Sequence, residues 1–257
     1  MILSFVNVKG GVGKTTTAVN LSAVFGQARL KTLLVDLDPQ ASATYALGFP
    51  ADSKGTKIKD VLLDDAPATE AIVETSVKNV DLMRGDLGMA AADLALARRK
   101  DPATRLLKVL EPLEETYHAI LVDSPAGLSL LSLMALHACS AYVVPTTPHH
   151  LALDALERFF DGVKALKSDI MKTPRLLGVA LTMVDRRTNL AEELISELRA
   201  EYKQNVFRTE IPVNVRLAEA SGYGTTIFDY EPGSSGAAAY RRLGAEVLRR
   251  LREKKLV

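Results

Sequence analysis

The segment Lys9-Gly10-Gly11-Val12-Gly13-Lys14-Thr15-Thr16, set between an apolar run and a helix-period run, constrains this chain more than any other feature. Its glycines free successive backbone N–H groups to turn inward around phosphate oxygens. A helix starting near Lys14 adds the positive end of its dipole. Lys14 is then placed to reach the β and γ phosphates of a nucleotide, and the Thr15 hydroxyl to bind Mg²⁺. A glycine loop has this meaning only after a strand and before a helix, and that is where this one stands.

Apolar runs and helix-period runs alternate along most of the chain. The strand candidates are Ile2 to Asn7, Thr32 to Asp36, Val80 to Arg84, His118 to Asp123, Ala141 to Pro145, Leu176 to Met183 and Phe207 to Ile211. Helices are expected over Thr15 to Ala28, Leu87 to Ala97, Ala103 to Thr116, Leu128 to His137, Ala152 to Lys167, Leu190 to Gln204 and Ser235 to Arg252. Near-continuous apolar strands separated by helices predict an α/β fold, a mostly parallel sheet covered on both faces. No repeat and no linker-like stretch divides the 257 residues, so one domain over 1–257 is expected. Ligands in such sheets sit beyond the carboxyl ends of the strands.

Acidic residues fall at those ends. Asp36 and Asp38 close the second apolar run in Leu33-Leu34-Val35-Asp36-Leu37-Asp38-Pro39-Gln40, and Asp123 closes Ala119-Ile120-Leu121-Val122-Asp123. Carboxylates there can orient the water shell of Mg²⁺, which keeps several waters and takes few protein ligands. Asp123 is the Walker B candidate, Asp38 would position the attacking water, and Asp36 would support the metal shell, though sequence alone permits Asp36 and Asp38 to exchange roles. The chemistry expected is in-line attack of water on the γ phosphate, driven by positioning and charge neutralisation.

The common loop would carry glycine at position 8, where this chain has Val8 followed by Lys9. Lys-Gly-Gly-Val-Gly-Lys-Thr resembles the deviant Walker A loop of the ParA/MinD ATPases, and further segments resemble the ParA/Soj branch. These are Leu33 to Gln40, Leu181 to Leu190, Ile211 to Ala220 and Gly233 to Tyr240. The resemblance implies ATP as the nucleotide, held by Lys9 through Thr16 with Mg²⁺. It implies that Lys9 crosses the interface of an ATP-bound homodimer to the partner's nucleotide, so that hydrolysis is slow in the monomer. Met183, Pro212 and Asn214 would bracket the adenine, and Arg187 and Arg216 would touch double-stranded DNA without sequence preference. A ParB-type partner would stimulate hydrolysis in chromosome or plasmid partition. Two departures stand out: Ser124-Pro125-Ala126-Gly127 replaces the usual Pro-Pro pair after Asp123, and Ala41-Ser42 follows Gln40 where Gly-Asn is common.

Other classes fare worse. One cysteine, Cys139, cannot supply a disulfide or the cluster ligands of a nitrogenase-like redox ATPase. Residues 124–153 lack charged side chains, but Pro125, Gly127, Pro145 and Pro148 break that run as a membrane span. The chain opens directly on its first strand, which predicts a cytoplasmic protein, and the resemblance implies association with the nucleoid. Net charge is +1, yet the tail from Ala237 onward is basic. There Tyr240, Leu243, Val247, Leu248 and Leu251 fit a helix packed on the core with a DNA-facing side. The same machinery could position protein cargo over the nucleoid. A MinD-like membrane-associated division regulator is a third reading, disfavoured because the ending lacks a bulky apolar helix, so no stable membrane association is expected.

Overall fold

The computed structural model describes residues 1–50, 52–149, 152–165 and 174–256. The chain runs β1 (Ile2–Asn7), α1 (Lys14–Gln27), β2 (Thr32–Asp36), α2 (Ser42–Ala46), α3 (Ile58–Asp64), β3 (Ile72–Glu74), β4 (Val80–Met83), α4 (Met89–Ala97), α5 (Arg105–Leu110) and β5 (Ala119–Ala126). It continues through α6 (Leu130–Ala138), β6 (Ala141–Thr146), α7 (Ala152–Ala165), β7 (Arg175–Val184), α8 (Asn189–Tyr202), β8 (Val206–Pro212), α9 (Val215–Gly222), α10 (Ile227–Tyr230) and α11 (Ser235–Glu253). These strands form one sheet in the order β3-β4-β2-β5-β1-β6-β7-β8. Every pairing is parallel except β3 with β4 at the edge.

Alternation along the strands divides the core into two layers. Ile2, Val6, Leu33, Val35, Ile120 and Val122 face one side, with α3 to α8 over them. Leu3, Phe5, Leu34, Ala119 and Leu121 face the other, under α1, α2 and α9 to α11. Strands buried on both faces show the continuous apolar runs seen in the sequence. Helix α11 lies on β8 and α1, and Gly244 permits the close approach: a Cβ there would sit 2.4 Å from Val24 Cγ1. Its Tyr240, Leu243, Val247, Leu248 and Leu251 are all buried, and the Tyr240 hydroxyl meets the Thr17 hydroxyl at 3.2 Å.

Several expectations change. The region expected as one helix from Ala103 to Thr116 is a short 3₁₀ turn, α5, and a second 3₁₀ turn over Glu111–Glu115, because Pro112 has no N–H for the helical ladder. The short edge strand β3 and helices α2, α3, α9 and α10 did not stand out as periodic runs. Strand β5 runs on through Pro125 to Ala126, whose register partner is Asn7. The last two residues of the helix expected to Lys167 lie outside the described residues. No helix among the described residues is long and apolar enough to cross a membrane.

Candidate nucleotide site

Adjacent strands β1, β2 and β5 bring the glycine loop and the three aspartates to one end of the sheet. Asn7 anchors the loop's start: its Nδ2 donates to the Pro145 carbonyl at 2.7 Å, and its Oδ1 accepts the Lys9 amide at 3.0 Å. Gly11 and Gly13 take φ of 70° and 79°, the left-handed region that side chains resist. Past them α1 begins, with the Thr17 amide on the Gly13 carbonyl at 2.9 Å. The Thr182 hydroxyl, from the end of β7, donates to the Val12 carbonyl at 2.9 Å.

The two lysines of the loop have opposite environments. Lys9 is exposed, whereas Lys14 is buried with its Nζ 3.4 Å from the Lys9 carbonyl. Burial lowers the Lys14 pKa, opposed by the charges of Asp123 and Asp38. The loop therefore points one desolvated ammonium into the site and leaves the other facing outward.

Asp36 and Asp123 are register partners on β2 and β5, both fully buried. Asp36 is tied down: Oδ2 accepts the Thr44 amide and hydroxyl, each at 2.7 Å, and Oδ1 accepts the Asp38 amide at 3.3 Å. Burial, against those bonds, raises its pKa to about 6. Asp123 differs. The Thr15 hydroxyl is near enough to lower its pKa, yet among the described residues neither carboxylate oxygen meets a partner at hydrogen-bond geometry, and burial and the Asp36 charge push the pKa well up. A buried carboxylate with two unpartnered oxygens beside a threonine hydroxyl is a fitting receptor for a hard cation. Asp38 is half-buried, and its Oδ1 accepts the Gln40 amide at 2.9 Å.

A cleft of about 840 Å³ opens over this constellation, walled by the loop, Asp38, Gln40, Pro125 and Met183. A second hollow of about 350 Å³ adjoins it through Gly13, Thr16 and Met183, and is lined by Pro212, Asn214, Leu217 and Tyr240. Met183, Pro212 and Asn214 thus share one wall next to the phosphate loop. Asn214 also has a structural task, capping α9 through the Arg216 amide at 2.9 Å and donating to the Ser235 hydroxyl at 2.8 Å. Arg187 and Arg216 stand apart from the cleft and exposed, each on a nearby acid: Arg187 Nη2 lies 2.6 Å from Asp185, and Arg216 Nη1 lies 2.8 Å from Glu219.

Thr182 and Thr44 were not anticipated. Thr182 left a trace, a polar residue inside the buried run of β7. Thr44 left none, since its contact with Asp36 depends on where α2 packs. One departure gains a physical meaning: Ala41 takes φ 49°, so the position where glycine is common has left-handed backbone in this chain.

The model of the AAA domain family matches residues 1–176. The sporulation initiation inhibitor protein Soj of Bacillus subtilis (strain 168) is 37% identical over 96% of this chain and 97% of its own length. The chromosome-partitioning ATPase Soj of Thermus thermophilus is 40% identical over 98% of this chain and 96% of its own. Among solved structures, cobyrinic acid a,c-diamide synthase from Mycobacterium smegmatis, with bound ATP analogue and magnesium, superposes with a TM-score of 0.86. It is 27% identical, covering 98% of this chain and 96% of its own.

Proposed function

The chain belongs to the Soj/ParA family of chromosome-partitioning ATPases, and from that premise we propose that ATP switches it between a monomer and a homodimer that holds DNA. ATP with Mg²⁺ is the nucleotide, and hydrolysis to ADP and phosphate is the reaction. The observation that carries the reading is one loop with an inward, buried Lys14 and an outward, exposed Lys9, facing an Asp123 whose oxygens have no hydrogen-bond partner among the described residues.

In this reading the backbone amides from Gly10 to Thr16 hold the phosphates and Lys14 neutralises the β and γ groups. Thr15 and Asp123 hold the cation, which when bound offsets charge on the transferring phosphate. Asp38 keeps Oδ2 free of hydrogen bonds among the described residues, so it can take a proton from, or orient, the attacking water. Asp36 acts at one remove, fixing the Asp38 amide and α2 in place. Lys9 completes the charge only across a dimer, which makes turnover slow alone and faster with DNA and a ParB-type partner. Met183, Pro212 and Asn214 supply the wall for adenine.

Arg187 and Arg216 would exchange their surface carboxylates for DNA phosphates. Exposed ion pairs are weak, so the exchange is easy, and contact with phosphate alone carries no sequence preference. The apolar face of α11 packs on the core, which supports a protein without stable membrane association through that helix; in this reading it is one cytoplasmic, nucleoid-bound domain. A gel shift with ADP, ATP and a slowly hydrolysed analogue tests the switch, repeated with Arg216→Ala and at raised salt. DNA binding indifferent to nucleotide would overturn it. Phosphate release that survives in Lys14→Ala and Asp38→Ala would overturn the site assignment.

A further inference from the structure

At the opposite end of the sheet from the nucleotide, around the amino ends of β7 and β8, lies a cleft of about 540 Å³. Its walls come from α8, the turn after it, β8 and α11, and they contribute Arg199, Lys203, Arg208, Arg249, Arg250 and Lys254. Against these six cations stand Glu253 on the rim and Glu210 and Glu246 behind it.

Structural duties account for two of the six. Arg199 donates to the Phe207 and Arg208 carbonyls and to Glu210, and Arg250 donates to the Leu177 and Val206 carbonyls and to Glu246. Arg250 lies over the Phe207 ring at 4.1 Å, in space that a Cβ on Gly178 would fill. Arg249 pairs with Glu253 at 2.6 Å. Lys203, Arg208 and Lys254 make no ion pair among the described residues, so positive charge is left over where three elements meet. Burial lowers the Arg250 pKa, opposed chiefly by the charge and hydrogen bond of Glu246.

The geometry points to a second anion site, for a ligand carrying several phosphate groups, at the amino ends of β7 and β8. Arginine and lysine converging on a concave site suit phosphate oxygens, and the volume suits a small ligand or a short stretch of phosphodiester backbone. Phe207 lies under Arg250, so that ring is not offered to a nucleobase for stacking, and the phosphates carry the recognition. The site does not rest on the nucleotide reading and would work whatever occupies the glycine loop.

The test uses the full chain with saturating ADP and Mg²⁺, whose binding is measured first, and Lys203→Gln combined with Arg208→Gln, both exposed positions. The control is Lys78→Gln, an exposed lysine beside β4 near the other edge of the sheet. Inorganic tripolyphosphate, followed by calorimetry, should bind once per chain and at least tenfold more weakly to the double variant, with the control unchanged. If tripolyphosphate does not bind but a DNA duplex shows that same pattern by anisotropy, the phosphates belong to a nucleic-acid backbone and the site stands. Failure of both ligands to bind, or equal loss in the control, overturns it.

Discussion

The Thr182 hydroxyl donates to the Val12 carbonyl at 2.9 Å, tying the end of β7 to the middle of the glycine loop. That bond holds the loop's curvature without using any atom that faces the phosphates. Thr182→Val keeps the shape and leaves a buried carbonyl unpaired, at a cost of about 1–2 kcal/mol. ATP affinity measured by fluorescent-analogue titration should fall by up to about five- to thirtyfold. Unchanged affinity would show that the loop keeps its shape without this tie.

Asp36 should shape the pH dependence of the nucleotide-free protein. Its folded pKa of about 6 lies above its ordinary 3.8, so the folded state holds a proton that the unfolded chain releases. This stabilisation is complete below about pH 4 and is lost as pH rises to about 6, amounting to about 3 kcal/mol at most. Asp123 acts in the same direction. Urea unfolding without Mg²⁺ should show stability falling more steeply from pH 4 to 6 in the wild type than in Asp36→Asn; coincident slopes would refute the assignment.

Glu219 accepts from both Arg216, at 2.8 Å, and the Tyr230 hydroxyl, at 3.1 Å. Glu219→Gln removes the charge that competes with DNA phosphate for Arg216. Affinity for a DNA duplex in the ATP state should rise roughly two- to fivefold, the scale of an exposed pair. A decrease would mean that Glu219 orients Arg216 for DNA rather than withholding it.

Ala41 pays for its left-handed backbone, which glycine adopts without strain. Ala41→Gly should raise the urea midpoint by the equivalent of about 0.5–1 kcal/mol. A lower midpoint would mean that the methyl packing of this buried residue outweighs the strain.

Much of the fold was legible because the parallel strands are buried on both faces and so appear as unbroken apolar runs. The gathering of Lys14, Thr15, Asp36, Asp38 and Asp123 at one end of the sheet was legible too, since each stands at or beyond the carboxyl end of an apolar run and those runs became adjacent strands. The short elements were not: β3, α2, α9 and α10 have too few residues for a period to emerge, and packing on neighbours creates them. Pro112 did mark its own helix break, but the run of leucines around it masked the signal.

What the sequence by itself determined is the glycine loop, the order of strands and helices around it, and the set of acids that can serve it. Which of these acids has its oxygens occupied was decided by tertiary structure. Asp36 and Asp123 are alike in sequence, each closing an apolar run. Helix α2 brings Thr44 onto Asp36 and fills its oxygens, while among the described residues no donor reaches Asp123 at hydrogen-bond geometry, the nearby Thr15 hydroxyl included. A carboxylate's role follows from which partners reach it, and residues 8 apart on β2 and α2 meet only once the chain has folded back on the sheet.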